Sequence, residues 1–511
     1  MQNPHPLLRS LLTLTESRPD FVVLYDKGKA ITAQVLYERS QTISCALASR
    51  GFGLNHTAVI ATEPGMEFLE IIYAIMLLQG NIALIDPEMG RENYLSKIQQ
   101  LQPQWMFIDS RLLFLQEHPG LKKLLRKLGR KIPSPAIFPG SKLVTVGRKL
   151  PIARSHVHLS TLQESPRYFT STMQGTDASG TVIIYTSGTL SVPKGVVHTG
   201  ASLDASITVL KNLLVNQPSA TVAATLPHFM LLGITAGLPV KMKRKNMSAA
   251  ESLQWLDKEN IGVIFGPPSD FLPLINYCEQ HNQKLPASLQ HILIGSAPVH
   301  PVFLKRLIDR LAAHTLVTCT YGMTENLLVA TVNGREKAEY KGPGDLVGCP
   351  VAGVRIKIEQ DGEIMVHSPQ QLCRYFHEEK ASEWHASGDL GELDHRGNLV
   401  LYGRKKEMII RRNMNIYPAL YENTIKNMEG VEEAAIVGVY DDTLQDEKVY
   451  LALEGSSLNV SRIQSQLRSG RHSIDKEALP DHIFQMIIPR KGRQNKIDRY
   501  AVVDYIKKNV L

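Results

Sequence analysis

Residues 181–198 read TVIIYTSGTLSVPKGVVH, and the fold is decided on this stretch. Its first part, from Val182 to Tyr185, is mostly β-branched, the composition of a buried strand, and it runs straight into a loop of hydroxyls and glycine. Such a loop can wrap phosphate. Thr186, Ser187 and Thr189 supply hydroxyl donors, Gly188 admits backbone angles that bring amide groups close to an anion, and Lys194 adds a mobile cation. In a partly desolvated cleft a charged contact is worth far more than in water, so one lysine matters to a polyphosphate. The stretch is not a Walker loop, because the GxxxxGK[ST] spacing is missing. A short Ser/Thr/Gly cluster after a strand is often only a polar turn. Here hydroxyls, glycines, proline and lysine all fall in one order, and that favours phosphate.

Outward from the loop, short apolar runs recur: VVLY, HTAVIAT, NIALID, WMFID, GVIFG and HILIG read as buried strands, with amphipathic stretches of helical length between many of them. This alternation implies an α/β architecture. With 511 residues, 43% of them hydrophobic, the chain can bury a large core in two or more structural units. The segment GELDHRGNLVLYGR, residues 391–404, places Asp-His-Arg-Gly as a hairpin turn between two β-like runs. The composition changes after it, so units of 1–404 and 405–511 are expected. Residues 111–131, RLLFLQEHPGLKKLLRKLGRK, carry leucine at helical spacing with a basic face and are expected as surface helix, interrupted at Pro119 and Gly120.

Composition also excludes several classes. The five cysteines show neither metal-ligand spacing nor a disulfide framework, which fits a reducing, cytoplasmic setting. The first twenty residues meet acidic side chains early and lack a long apolar core, so neither a signal peptide nor a spanning start is expected. No apolar run reaches the roughly 18 residues a transmembrane helix needs. The net charge of +8 suits anionic partners, but without a nucleic-acid module the expectation is that no nucleic acid is bound.

The loop resembles that of the adenylate-forming superfamily, which includes acyl-CoA synthetases, non-ribosomal peptide adenylation domains and luciferases and reads approximately YTSGTTGxPKG. Leu190 and Ser191 stand where the usual Thr and Gly would be. The resemblance extends to GSAPV at 295–299, TYGMTE at 320–325, SGDLGELD at 387–394 and YGRKKEMI at 402–409. It implies an acyl-CoA synthetase-like fold, with a large amino-terminal domain of α/β subdomains and a small mobile α+β carboxy-terminal domain. It further implies that Gly295, Ser296, Ala297, Pro298, Tyr321 and Gly322 flank the adenine of ATP. Thr324 would meet the α-phosphate and Glu325 would help hold Mg²⁺, a hard ion that takes one or two carboxylates plus phosphate oxygens. By the same resemblance Asp389 accepts from the ribose hydroxyls with Arg404 nearby. Lys406 takes the hinge position, and Asn413 stands close to a usual glycine. In PRKGRQNKIDR, residues 489–499, Lys496 matches the lysine that reaches the acyl carboxylate and α-phosphate, with Asn495 replacing a glycine.

The resemblance implies that a small-molecule carboxylic acid is activated as its acyl-AMP and then passed to a thiol, from CoA or from the phosphopantetheine of an acyl carrier protein. In ATLPHFMLLGITAGLPV, residues 224–240, His228, Phe229 and Met230 fall in the family's acyl-pocket stretch, and Met230 takes the place of a common histidine. A thioether beside Leu231 and Leu232 suits an apolar, fatty chain. That missing histidine, together with IDPEMG at 85–90, also resembles the olefin-pathway β-lactone synthetases, which adenylate a β-hydroxy acid and need no thiol. A non-catalytic nucleotide or acyl binder is a further reading, motivated by Leu190, Ser191, Asn413 and Asn495 and opposed by the retained Lys194, Glu325, Asp389 and Lys496.

Overall fold

The computed structural model describes residues 5–85, 91–127, 135–165, 180–185, 194–214, 220–224, 227–411, 414–441, 446–469, 474, 478–491 and 496–510. The apolar runs become strands of two large sheets. In the first, Thr57–Ala61, Asn81–Leu84, Trp105–Asp109, Lys142–Val146 and Val182–Tyr185 are parallel neighbours. Thr57–Ala61 and Trp105–Asp109 are buried along their whole length, as expected for parallel strands covered by helices on both faces. In the second, Thr221–Ala224, Val240–Met242, Ile261–Gly266, His291–Ile294 and Leu316–Met323 form a parallel set. The chain then reverses, and Asn326–Asn333, Asp345–Pro350 and Leu399–Arg404 extend that sheet in antiparallel fashion.

The Asp-His-Arg-Gly turn forms as its chemistry dictates. Asp394 Oδ1 accepts the backbone N–H of both Arg396 and Asn398 at 2.8 Å, and Gly397 takes φ of 77°. The flanking strands His385–Leu393 and Leu399–Arg404 pair with Asp389 directly opposite Arg404. Gly391 is required there, since a Cβ would lie 2.2 Å from the Val400 carbonyl oxygen. The basic segment forms two helices, Ser110–Glu117 and Pro119–Lys127. Pro119 opens the second, the helical position at which a missing N–H costs nothing.

From Arg404 the chain passes through one 3₁₀ turn, Lys405–Glu407, into a small carboxy-terminal unit. Strands Glu433–Asp441, Asp446–Glu454 and His482–Gln485 make its three-stranded sheet, and helices Pro418–Lys426, Val460–Arg468 and Arg499–Asn509 pack with it. Its two hydrophobic clusters draw only on residues of this part of the chain. Arg499 ties them together: it donates to Glu422 at 2.5 and 2.7 Å, to Glu407 at 3.0 Å and to the Ile436 carbonyl at 3.1 Å. The same clamp fixes the start of the last helix, three residues beyond Lys496.

Several enclosed histidines, His291 and His300 among them, make stability depend on pH. His291 donates to or accepts from Thr318 Oγ1 at 2.8 Å, and burial lowers its pKa from 6.5 to about 4. His300 meets the Lys426 ammonium at 3.3 Å, and burial, then Lys426 and Lys337, lower its pKa to about 3. A histidine depressed in the folded state contributes stability above the unfolded value near 6.5 and loses it as pH falls towards the folded value. At pH 5 each is expected to cost about 2 kcal/mol relative to pH 7. Urea denaturation at the two pH values checks this. His291→Asn should remove about 2 kcal/mol of the difference, and an unchanged pH dependence would exclude His291 as a source.

Candidate active site

Several strand ends and turns meet at one edge of the second sheet. The strand His291–Ile294 delivers Gly295, whose N–H donates to the Gly266 carbonyl at 3.3 Å. A Cβ on Gly295 would lie 2.1 Å from Thr320 Oγ1, so only glycine lets these neighbours approach. Ser296 follows with φ of 65°, a left-handed backbone that turns residues 295–298 back on themselves. The next strand, Leu316–Met323, presents Tyr321 and Gly322. Gly322 is packed so closely that a Cβ would sit 2.3 Å from the Leu327 carbonyl oxygen. Thr324 and Glu325 form the turn between this strand and Asn326–Asn333.

Tyr321 donates its hydroxyl to Asp389 Oδ2 at 2.6 Å, and Arg404 Nε lies 2.7 Å from Asp389 Oδ1. The cross-strand register explains this pair, because residues directly opposite in a sheet hold their side chains side by side. Burial pushes the Asp389 pKa up, while Arg404, the Tyr321 hydroxyl and Lys496 pull it back. Burial, reinforced by the neighbouring Asp389, drives the Tyr321 phenol far above its usual range, so it stays a donor.

Lys496 lies on the two-residue strand Lys496–Ile497, paired with Arg490–Lys491. Its surface is exposed, yet the surrounding protein crowds its amine and lowers the pKa, as does the positive charge of Arg404. Asp389 and Glu407 raise it. Lys496 therefore shares one electrostatic field with Asp389 and Arg404, although it comes from the carboxy-terminal unit. Lys406 is exposed within the connecting turn.

On the other side of the Thr324–Glu325 turn lies the strand Gly195–His198, which pairs with Val182–Tyr185 so that Tyr185 faces Gly195. Lys194 precedes it, 3.3 Å from Glu378 and with its ammonium 4.5 Å from the centre of the Tyr375 ring. Thr186, Ser187, Gly188, Thr189, Leu190 and Ser191 lie outside the described residues, as do Asn413 and Asn495 and residues 86–90. His228 and Phe229 belong to the helix Pro227–Ala236, but their side chains lie outside the description. Met230, expected at an acyl-pocket wall, has no exposed surface and packs into the largest core.

Sequence reasoning passed over two residues of this region. His198 is fully buried, its Nε2 donating to the Thr324 carbonyl at 2.7 Å, and burial lowers its pKa. It holds the backbone of the turn that carries Thr324 and Glu325. Tyr375 donates to Glu325 Oε1 at 3.1 Å. Among the described residues no three His, Cys, Asp or Glu side chains gather to hold a metal. Glu325 is a carboxylate of the kind that Mg²⁺ takes together with phosphate oxygens, and it would be the protein's ligand to a nucleotide-bound ion here.

Glycine turns, a buried carboxylate held by a partly exposed arginine, and two separate lysines suit a nucleotide. The sequence profile of AMP-binding enzymes matches residues 13–376. The chain belongs to the AMP-binding enzyme family. Within that family it is 26% identical, over 86% of both chains, to an olefin β-lactone synthetase of Stenotrophomonas maltophilia. It is 24% identical to a 2-succinylbenzoate–CoA ligase of Bacillus subtilis, over 84% of this chain and 85% of that one. The fold matches the solved structure of an o-succinylbenzoate coenzyme A synthetase from Bacillus subtilis in complex with ATP and magnesium ion. That match has a TM-score of 0.76 at 20% identity and covers 97% of this chain and 98% of the other. Among the described residues, no helix of this AMP-binding enzyme is long and apolar enough to cross a membrane.

Proposed function

We propose that the protein joins ATP and a carboxylic acid into an acyl-adenylate and then transfers the acyl group to the thiol of CoA. The observation that carries this reading is the Tyr321–Asp389–Arg404 constellation with Lys496 in its field. Asp389 has lone pairs beyond those facing Tyr321 and Arg404, so it can accept from the vicinal hydroxyls of a ribose. Arg404 steadies that carboxylate, and the turn at 295–298 with Tyr321 flanks the base. A carboxylate oxygen of the acid attacks the α-phosphorus, the bond to the β-phosphate oxygen breaks, and pyrophosphate leaves. Lys496 draws in the acid and offsets the charge that grows at the α-phosphate, while Lys194 does the same for the departing phosphates. When bound, Mg²⁺ supplies further neutralisation of the polyphosphate, and Glu325 is the carboxylate placed to hold it. In the second step the thiol attacks the acyl carbonyl and AMP leaves; Lys406, in the connecting turn, is the hinge we assign to the change between steps.

The acid we propose is aliphatic, on half-buried Leu231 of the apolar stretch 230–236, whose Met230, Leu232 and Ile234 are taken up by the core. A second reading rests on the similarity to the olefin β-lactone synthetase, whose name implies closure by an internal hydroxyl. Products separate the two. Purified protein with ATP, Mg²⁺ and straight-chain acids should release pyrophosphate and, with CoA present, form the thioester. Turnover confined to β-hydroxy acids, unaffected by CoA and yielding a lactone, would replace the first reading with the second.

A further inference from the structure

The two opposite charges at the phosphate end of the cleft, Lys194 and Glu325, do not pair with each other. One residue lies between them. Tyr375 turns its ring face to the Lys194 ammonium, 4.5 Å from the ring centre, and donates its hydroxyl to Glu325 Oε1 at 3.1 Å. The backbone fixes it on both sides. The short strand Arg374–Tyr375 pairs with Gly195–His198, Tyr375 opposite Val196, and hydrogen bonds at 2.8 and 2.7 Å from Cys373 and Phe376 close the register. On the other flank the Leu372 N–H donates to the Glu325 carbonyl at 2.7 Å. The tyrosine is thus laced at once to the strand behind the phosphate loop and to the turn that carries Glu325.

The Tyr375 hydroxyl directs its one donor at Glu325 Oε1. Without a spacer, an ammonium and a carboxylate facing one cleft would gain by collapsing into an ion pair, and each nucleotide would have to break it. A ring face satisfies the cation and a hydroxyl satisfies the anion without joining them. Glu378, half exposed, is the remaining partner of Lys194, and an ion pair so open to water is one of little strength.

We propose that Tyr375 is a positioning residue that holds Lys194 and Glu325 apart, so that the site is preset for a magnesium–polyphosphate before nucleotide arrives. This rests on the nucleotide reading of the site given above. Preorganised charge is most effective when it need not rearrange on binding.

The test compares Tyr375→Phe, which keeps the ring and loses the hydroxyl, with Tyr375→Leu, which loses both. ATP binding is measured by calorimetry over a series of Mg²⁺ concentrations, with thermal melting as the control for folding. Tyr375→Phe should raise the Mg²⁺ needed for half-maximal ATP binding by about tenfold, the scale of one hydrogen bond to a charged group, and leave Mg²⁺-free binding within about twofold. Tyr375→Leu should in addition weaken Mg²⁺-free binding by about threefold, through loss of the ring under Lys194. A parental Mg²⁺ dependence in Tyr375→Phe, or equal losses in both variants that track a fall in melting temperature, would overturn the proposal, as would a parent protein that binds no magnesium–ATP. A parent that binds magnesium–ATP but releases no pyrophosphate with any acid would sink the proposed reaction alone, and the isotherms would still decide the role of Tyr375.

Discussion

Lys496→Ala is expected to lower acid-dependent ATP–pyrophosphate exchange by about 10²–10³-fold, the usual loss when one preorganised charge is removed from a developing oxyanion. Folding should be untouched. Lys496 projects from a two-residue strand with an exposed surface, while the adjoining structure is held by the Arg499 clamp on Glu422 and Glu407. Nucleotide affinity should change by less than about threefold, because the Tyr321–Asp389–Arg404 constellation remains. Exchange at the parental rate would exclude the lysine from the reaction. A parallel collapse of ATP binding would move its role to the nucleotide.

The second large effect is expected at Asp389. Its carboxylate is 5% exposed and takes both the Tyr321 hydroxyl and the Arg404 guanidinium. Asp389→Ala should weaken ATP binding by about 10–100-fold, the range for losing charge-assisted hydrogen bonds. It should also destabilise the fold by about 1–3 kcal/mol, because the Tyr321 hydroxyl loses its charged acceptor. Arg404 is partly exposed and can turn to water, so little is added for it. Adding Tyr321→Phe to Asp389→Ala should therefore restore part of the lost stability and none of the affinity. Chemical denaturation and calorimetry on the single and double variants check both halves. Strictly additive destabilisation would mean that the two side chains act independently.

Much of this architecture was legible in the sequence, for reasons specific to particular segments. Val182–Tyr185 was readable because β-branched residues bounded by a turn have few other fates, and the DHRG hairpin because Asp and Gly fall where a tight turn needs them. The Tyr321, Asp389 and Arg404 positions came from motif order, and the structure adds that they touch. What escaped the sequence was pairing between distant segments. Arg374–Tyr375 is only two residues long and is a strand because Gly195–His198 lies beside it. Nothing in its local pattern signals that partner. His198 ended the stretch that decided the fold, yet its bond to the Thr324 carbonyl depends on a turn far along the chain. Met230 shows the converse: an apolar residue in a pocket-like motif and an apolar residue in a core have the same signature, and here the side chain is wholly buried among core neighbours.

The central claim is that a carboxylate oxygen attacks the α-phosphorus of ATP, and isotope transfer tests it most directly. An accepted acid labelled with ¹⁸O in its carboxyl group is turned over with ATP, Mg²⁺ and CoA, and the nucleotide product is weighed by mass spectrometry. The account predicts AMP carrying one ¹⁸O from the acid, with unlabelled pyrophosphate. ADP with label in inorganic phosphate, or AMP without label, would contradict it.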